Sequence, residues 1–142
     1  MRLTATFLYL LFALASASCQ NKSNHEAPQV VLDAFELKYP GENDPDFEQD
    51  VHGYWEAHFK KGGEKYRADF HADGTWRETE NSIKDKEIPE AIQKAIQREF
   101  PNLKIAEAEH VISATKGEFY DIEFKQKGKN KDVEYRRDGS KV

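Results

Sequence analysis

Two segments of the chain, 61 residues apart, share the same pattern of apolar and polar positions. Residues 28–40 read PQVVLDAFELKYP and residues 89–101 read PEAIQKAIQREFP, so each lies between two prolines. Apolar side chains recur at positions i, i+4 and i+8, which lie on one face of an α-helix. A proline is tolerated at the start of a helix, and a second proline ends it. The pattern therefore predicts two three-turn amphipathic helices, with core positions Val31, Phe35 and Tyr39 in the first and Ile92, Ile96 and Phe100 in the second.

Apolar and polar residues alternate strictly in the segments that follow each predicted helix. Residues 54–59 align with residues 119–124, and residues 68–74 align with residues 133–139, now at an offset of 65. A period of two indicates strands with one buried face, and the glycines between these segments supply hairpin turns. The pattern predicts one hairpin in each copy, with inward side chains Trp55, Ala57, Phe59, Tyr66, Ala68 and Phe70 in the first and Tyr120, Ile122, Phe124, Val133 and Tyr135 in the second.

Further strands complete a fold of two tandem αβββ repeats. Weaker strands are predicted before the hairpins, at residues 47–51 and 104–112, and a last strand at residues 75–79 of the first copy. The second copy ends too early for more than a stub of that strand. We therefore expect an α+β fold in which six or seven strands form one antiparallel sheet, with both helices on one face.

The repeats divide the chain into a small number of segments. We assign the first repeat to residues 28–81, a linker to residues 82–87 and the second repeat to residues 88–142. A unit of about sixty residues buries only a marginal core by itself. Residues 27–142 are therefore expected to form one domain with a shared core.

The N-terminal residues have the features of an export signal. Residues 1–18 combine a positive residue, an apolar run and small residues, and the run is too short to span a bilayer. Residues 16–19 (SASC) resemble a lipobox, which predicts acylation of Cys19, and the polar residues 19–27 would form a tether. The alternative is ordinary cleavage after Ala17, which would release a protein without a lipid anchor.

Three paired motifs connect the sequence with a known family. They are the helix ends Lys38-Tyr39-Pro40 and Glu99-Phe100-Pro101, the hairpin starts Tyr54-Trp55-Glu56-Ala57 and Phe119-Tyr120-Asp121-Ile122, and the closing segments 70–74 (FHADG) and 135–139 (YRRDG). Over residues 28–142 the sequence resembles the PepSY-like, β-lactamase-inhibitor-protein-like family of exported Bacteroidetes-type proteins. The resemblance implies a periplasmic or surface-attached protein without enzymatic activity. Inhibition of β-lactamases is not implied, because a fold does not fix a function.

Composition and charge exclude several classes of function. The chain has 142 residues and a formal net charge of -5, and removal of residues 1–18, which contain one arginine and no acidic residue, changes this charge to -6. An acidic protein is a poor partner for nucleic acids. A single cysteine excludes intramolecular disulfides and multi-cysteine zinc or redox motifs. The sequence shows no nucleophile with a base, phosphate loop or histidine pair with metal-ligand spacing, so we expect no enzymatic activity, cofactor or metal.

Acidic residues fall on the outward face of both predicted hairpins. If the hairpins pair through their apolar alternation, Glu56 lies opposite Asp69, and Asp121 lies opposite Glu134. Like charges in these positions destabilise a sheet unless cations lie nearby. The candidate cations are His58, Arg67, His71 and Arg136. Such a face either binds a divalent cation or a basic partner, or it is an ordinary solvated face with a register that differs by two residues.

Tyr54 and Phe119 occupy equivalent positions on the face opposite Trp55. A large aromatic side chain there either packs against a loop or provides an anchor for a partner. Our main hypothesis is a lipid-anchored envelope protein that binds another macromolecule through the helix-free face of its sheet. The alternative is a periplasmic protein that binds a small ligand or a divalent cation. The candidate contacts are Tyr54, Glu56, Asp69, Phe119, Asp121 and Glu134.

Overall fold

A computed structural model describes residues 26–42 and 44–142. The predicted signal segment, Cys19 and most of the predicted tether lie outside these residues. The elements in chain order are α1 (Gln29–Lys38), β1 (Asp46–Gln49), β2 (Trp55–Lys61), β3 (Glu64–Phe70), β4 (Trp76–Ser82), a short 3₁₀ helix (Asp85–Glu87), α2 (Glu90–Glu99), β5 (Lys104–Ser113), β6 (Gly117–Lys125) and β7 (Lys131–Tyr135). Among these elements, no helix is both long and apolar enough to cross a membrane.

All seven strands form one antiparallel sheet in which each strand pairs with its neighbours in the sequence. The predicted α+β class and the two helices packed on one face of the sheet are confirmed. The two halves meet where β4 pairs with β5, from Glu78 opposite Ser113 to Ser82 opposite Glu109. β4 continues beyond the predicted end at residue 79 as far as Ser82, which therefore belongs to the strand and not to the predicted linker. In the second half a single bridge between Tyr135 and Lys141 is all that corresponds to this strand.

The prolines act at the helix ends as the sequence predicts. Pro28 and Pro89 are the N-cap residues, and each accepts backbone hydrogen bonds from the first helical turn. At the other end, Tyr39 and Phe100 each donate a last backbone hydrogen bond to the residue four positions earlier. The proline that follows each of them has no amide hydrogen to continue the ladder. Each helix therefore has ten residues.

The apolar core consists of two clusters, one between each helix and its own part of the sheet, which differs from the expected shared core. Because β4, which joins the halves, has a mainly polar sequence, it does not connect the clusters. Ile96 is only half-buried, and the buried stripe of α2 runs through Ile92 and Ala95, which lie on the same helical face. The first cluster contains Ala27, Val31, Phe35, Tyr39, Trp55, Ala57, Phe59, Ala68 and Phe70, and the second contains Ile88, Ile92, Ala95, Ala108, Tyr120, Ile122, Phe124, Val133 and Tyr135.

A tight Asp-Gly turn lies against the first turn of the helix in each half. Gly74 has a φ of +83°, and a Cβ atom there would lie 2.7 Å from the carbonyl oxygen of Val30. Gly139 has a φ of +84°, and its Cβ atom would lie 2.7 Å from the carbonyl oxygen of Ala91. Only glycine adopts this conformation freely and also allows so close an approach. The two turns therefore fix both helices on the sheet in the same way.

Candidate functional site

The face of the sheet opposite the helices carries a pair of carboxylates in each half. Glu56 pairs with Asp69 across β2 and β3, and Asp121 pairs with Glu134 across β6 and β7. Their neighbours along the strands point to the helices, because successive side chains in a strand alternate between faces. The predicted registers are confirmed, and the alternative of a register shifted by two residues is wrong.

The strand pairing extends each pair of carboxylates into a row that crosses the strands. The first carboxylate row contains Glu48, Glu56, Asp69 and Glu78, each directly opposite the next. The second carboxylate row contains Glu109, Asp121 and Glu134. Adjacent like charges in such rows repel each other. The ligands that the face can bind therefore depend on which basic side chains already neutralise each row.

Two arginines neutralise the centre of the first carboxylate row. Arg77 Nη1 lies 3.2 Å from Asp69 Oδ2 and 2.6 Å from Glu78 Oε1. Arg67 Nε lies 3.4 Å from Asp69 Oδ1, and its guanidinium group also forms an ion pair with Glu80. These contacts pair three carboxylates with two guanidinium groups inside the protein.

His58 lies at the outer end of the same row. Its Nε2 atom is 3.2 Å from Glu48 Oε1 and 3.4 Å from Glu56 Oε2. His58 and Arg67 thus both lie beside the first row, where the sequence places the candidate cations. Every carboxylate of the first row has a basic side chain within ion-pair distance.

Asp69 is the most buried carboxylate of this face, with 3% of its surface exposed. Burial raises the pKa of Asp69 to about 6, and the Arg67 guanidinium opposes this rise without cancelling it. Its Oδ1 atom is buried and accepts no hydrogen bond from the described residues, because Arg67 Nε approaches it without hydrogen-bond geometry. Desolvation therefore dominates at the centre of the row.

The second carboxylate row has far fewer partners. Lys116 Nζ donates hydrogen bonds of 2.6 and 2.7 Å to the two carboxylate oxygens of Glu134. Within residues 26–42 and 44–142, the side chains of Glu109 and Asp121 have no hydrogen bond or ion pair, and the Oδ1 atom of Asp121 is buried. Arg136, expected to compensate this row, instead donates to the backbone oxygens of Lys116 and Glu118.

Burial without ion-pair partners raises the pKa of two carboxyl groups in the second carboxylate row. Burial, together with the charges of Glu80 and Glu107, raises the pKa of Glu109 to about 7. The pKa of Asp121 rises to about 6, mainly through burial and then through the charge of Asp132. In both cases the low-dielectric surroundings disfavour the charged form. The charge of Arg67 opposes the rise at Glu109 and the charge of Lys116 opposes it at Asp121, and neither cancels it.

The structure places the two predicted aromatic contacts differently. Tyr54 is half-buried next to the start of β2, with its ring 5.1 Å from the His71 ring and 4.6 Å from the Arg77 guanidinium carbon. Phe119 is 3% exposed, and Lys116 Nζ lies 5.2 Å from its ring. Phe119 therefore lies on the helix-free face but is buried there, whereas Tyr54 keeps part of its surface accessible.

Two groups of side chains on the first half bring possible metal ligands together. Each group has one ligand atom per residue, and these atoms lie within 4.8 Å of one another. Members of both groups already have ion-pair partners, since His58 lies within ion-pair distance of Glu56 in one group and Arg67 forms an ion pair with Glu80 of the other. Ion pairing and metal binding therefore compete there. The groups are Glu48, Glu56 and His58, and Asp69, Glu78 and Glu80.

Several residues of the face do not follow from the hairpin pattern. Glu48 and Glu109 are recognised as members of the carboxylate rows only when β1 and β5 are placed in register with the hairpins. Arg77 has no partner in β3, because the register shifts where Asp69 pairs with Glu78 and Phe70 pairs with Trp76. A bulge of this kind re-aims a side chain and interrupts the alternation from which faces are predicted. Lys116 lies in the turn before β6, where no periodicity applies.

Comparison with known proteins identifies the family of the chain and shows solved structures with the same fold. The family described as "Putative beta-lactamase-inhibitor-like, PepSY-like" matches residues 53–140, which is more than half of the chain. No curated protein is significantly similar in sequence. Three solved structures from Bacteroides species have the same fold at low sequence identity, which makes them comparisons of fold alone.

A protein from Bacteroides eggerthii, described as a putative periplasmic protein, has a TM-score of 0.71 and 21% identity over 82% of this chain and 86% of its own. A DUF2874 family protein from Bacteroides uniformis has a TM-score of 0.72 and 18% identity, again over 82% and 86%. A BLIP-like protein from Bacteroides fragilis has a TM-score of 0.69 and 20% identity over 81% of this chain and 82% of its own. With the match to the family itself, the repeated helix, hairpin and Asp-Gly turn place this chain in the PepSY-like, β-lactamase-inhibitor-like family.

Proposed function

We propose that the protein is a non-catalytic envelope lipoprotein that binds another envelope protein through the helix-free face of its sheet. The observation that carries the proposal is the second carboxylate row, where Glu109 and Asp121 are partly buried without a partner among the described residues. Buried ionisable groups without partners are costly, and they concentrate at functional sites. The likeness to a protein described as BLIP-like supports a protein as the partner.

Photocrosslinking from defined positions tests this proposal. A photoreactive residue placed at Glu48 or Glu107, which are exposed residues of the helix-free face, is expected to crosslink the same envelope protein. The matched control is Glu36, an exposed residue of α1 on the other side of the molecule. Crosslinking from Glu36 alone, or equally from all three positions, contradicts the proposal.

The lipid anchor has its own test. Replacing Cys19→Ala is expected to move the protein from the membrane fraction to the soluble fraction and to abolish labelling with a fatty acid. The export signal and the small residues before Cys19 support this part of the proposal. A wild-type protein that is already soluble and unlabelled contradicts the anchor and leaves cleavage after Ala17.

The second candidate function is binding of a divalent cation or a small ligand. It is favoured by Glu48, Glu56 and His58, whose possible ligand atoms lie within 4.8 Å of one another. A cation that binds only the folded state raises its stability. Millimolar calcium or zinc should then raise the unfolding temperature, and Glu56→Gln should remove the increase. No change in unfolding temperature with either ion rejects this candidate.

A further inference from the structure

The two halves of the helix-free face correspond residue by residue, because their strands pair in the same register. Glu48, Glu56 and Asp69 of the first half occupy the positions of Glu109, Asp121 and Glu134 of the second. The acidic character of these rows is therefore the same in both halves. Any difference in binding must come from the residues beside them.

A second row flanks each carboxylate row two residues along every strand. In the first half this flanking row contains Asp46, His58 and Arg67. In the second half the equivalent flanking row contains Glu107, Glu123 and Asp132. Two basic side chains in one half are thus replaced by two acidic side chains in the other.

The first half shows how a cation is held on this face. Arg67 reaches from the flanking row to Asp69 and Glu80, and Arg77 joins Asp69 from the bulge in β4. A planar guanidinium group suits this arrangement, because it donates several hydrogen bonds in fixed directions to carboxylate oxygens. In the first half, arginines of the protein itself therefore bind the carboxylates of this face.

The second half has the same acidic positions and lacks these internal cations. Among the described residues, Lys116 binds Glu134, Ser82 donates to Glu107 and Asn130 donates to Glu123. The remaining three carboxylates of the two rows have no hydrogen bond or ion pair within the described part of the chain. They are Glu109, Asp121 and Asp132.

We propose that the binding partner supplies the missing cation, as an arginine side chain of a positively charged protein segment placed between Glu109, Asp121 and Asp132. This inference rests on the proposed function and specifies the chemistry of the partner. Charge complementarity supports it, since six carboxylates in the two rows of the second half face one internal lysine and, beyond ion-pair distance, the Arg67 guanidinium, which acts on Glu109. Asp121 and Glu109 are half-buried and their carboxylates accept no hydrogen bond from the described residues, so the part of each carboxylate that reaches the surface is available to the incoming guanidinium.

Rebuilding the first half's flanking row in the second half tests the inference. The double variant Glu123→His with Asp132→Arg places an internal arginine where the partner's arginine is proposed to bind. The probe is a fluorescein-labelled peptide of alternating arginine and glycine, and binding to the full chain is measured by fluorescence anisotropy at low salt. We expect about tenfold weaker binding and a higher unfolding temperature.

A matched control separates this site from general electrostatic attraction. The double variant Glu36→His with Asp33→Arg changes the net charge by the same amount on α1, away from the sheet face. We expect its affinity for the peptide to stay within about twofold of the wild type. An equal loss of affinity in both double variants, or no binding of the peptide to the wild type at low salt, overturns the inference.

A second variant keeps the test decisive if the first one folds poorly. Glu109→Gln with Asp121→Asn retains the shape of both side chains and removes their charges, so it is also expected to bind the peptide about tenfold more weakly. Unchanged affinity overturns the inference. If the crosslinks from Glu48 and Glu107 persist at the wild-type level in this variant, the sheet face still binds a partner and only the arginine proposal fails.

Discussion

The two halves of the sheet share a backbone design and differ in how their charges are balanced. In the first half, His58, Arg67 and Arg77 contact every member of the carboxylate row. In the second half, Glu109 and Asp121 of the equivalent row are left without an ion pair among the described residues. The Asp-Gly turns that fix the helices are the same in both halves. The repeat thus preserves the positions that build the fold and changes the residues that decide what the face can bind.

The cores of the two halves provide the largest expected difference. Phe35 is 3% exposed and contacts the rings of Tyr39, Phe47 and Phe59, whereas the equivalent Ile96 is half-buried. We expect Phe35→Ala to lower the free energy of unfolding by about 3–5 kcal/mol and Ile96→Ala by about 1–2 kcal/mol. Denaturant unfolding followed by circular dichroism measures both values.

The shared sheet also predicts cooperative unfolding of the two halves. Because β4 and β5 pair along five residues of each strand, both variants should unfold in a single transition. Two separate transitions would show that the halves are independent, in spite of the continuous sheet.

The glycine turns should respond equally in the two halves. Gly74→Ala and Gly139→Ala each place a Cβ atom 2.7 Å from a helix carbonyl oxygen at a positive φ. We expect each substitution to cost about 2 kcal/mol, through strain and displacement of the helix. Gly117→Ala is the matched control, because Gly117 has a φ of +70° and no atom within 4 Å of its Cβ position. A cost at Gly74 or Gly139 no larger than at Gly117 would show that the close approach is unimportant.

Neutralising one aspartate in each half should have effects of opposite sign. Asp69→Asn leaves Arg67 and Arg77 without their shared carboxylate, so we expect a loss of about 1–2 kcal/mol near pH 8. Asp121→Asn removes a charge that has only acidic neighbours in its row, so we expect a gain of about 0.5 kcal/mol. Thermal and denaturant unfolding of both variants measure the difference. Destabilisation of equal size in the two variants contradicts the proposed imbalance of charge.

The pH dependence of stability tests the same imbalance of charge. The folded pKa values of Glu109 and Asp121, about 7 and about 6, lie above their ordinary values of 4.5 and 3.8. The folded chain therefore holds these protons more tightly than the unfolded chain, and the resulting stability is lost as the pH rises through 6 to 7. After a discount for solvent screening, we expect a decrease of about 1 kcal/mol between about pH 5 and pH 8.

The double variant Glu109→Gln with Asp121→Asn supplies the comparison for this effect. It should show a smaller decrease over the same pH range, because two of the groups that bind protons on folding are gone. A decrease as large as in the wild type would assign the pH dependence to other residues, such as Asp69, whose pKa is also raised.

The hairpin registers were predictable because each strand alternates cleanly between apolar and polar residues. Glu56 opposite Asp69 and Asp121 opposite Glu134 follow directly from that alternation. The position of Arg77 was not predictable, since a bulge breaks the alternation at this point. The helical spacing of α2 likewise does not distinguish Ala95 from Ile96 as the second core position, because both lie on the same side of the helix as Ile92. Periodicity locates a face, and the packing of large side chains selects the residues that are buried.

The outermost strands of the sheet are among its shortest, and this has a consequence for how other chains can approach. β1 has four residues and β7 has five, whereas the inner strands β5 and β6 have ten and nine. A short border offers few free amide and carbonyl groups to an incoming strand, which is how many proteins avoid growing into larger sheets. Lys141 bridges to Tyr135 and occupies part of one border as well. Attachment of another chain by extension of the sheet is therefore disfavoured, which leaves the broad, charged surface across the strands as the place where the proposed partner would bind.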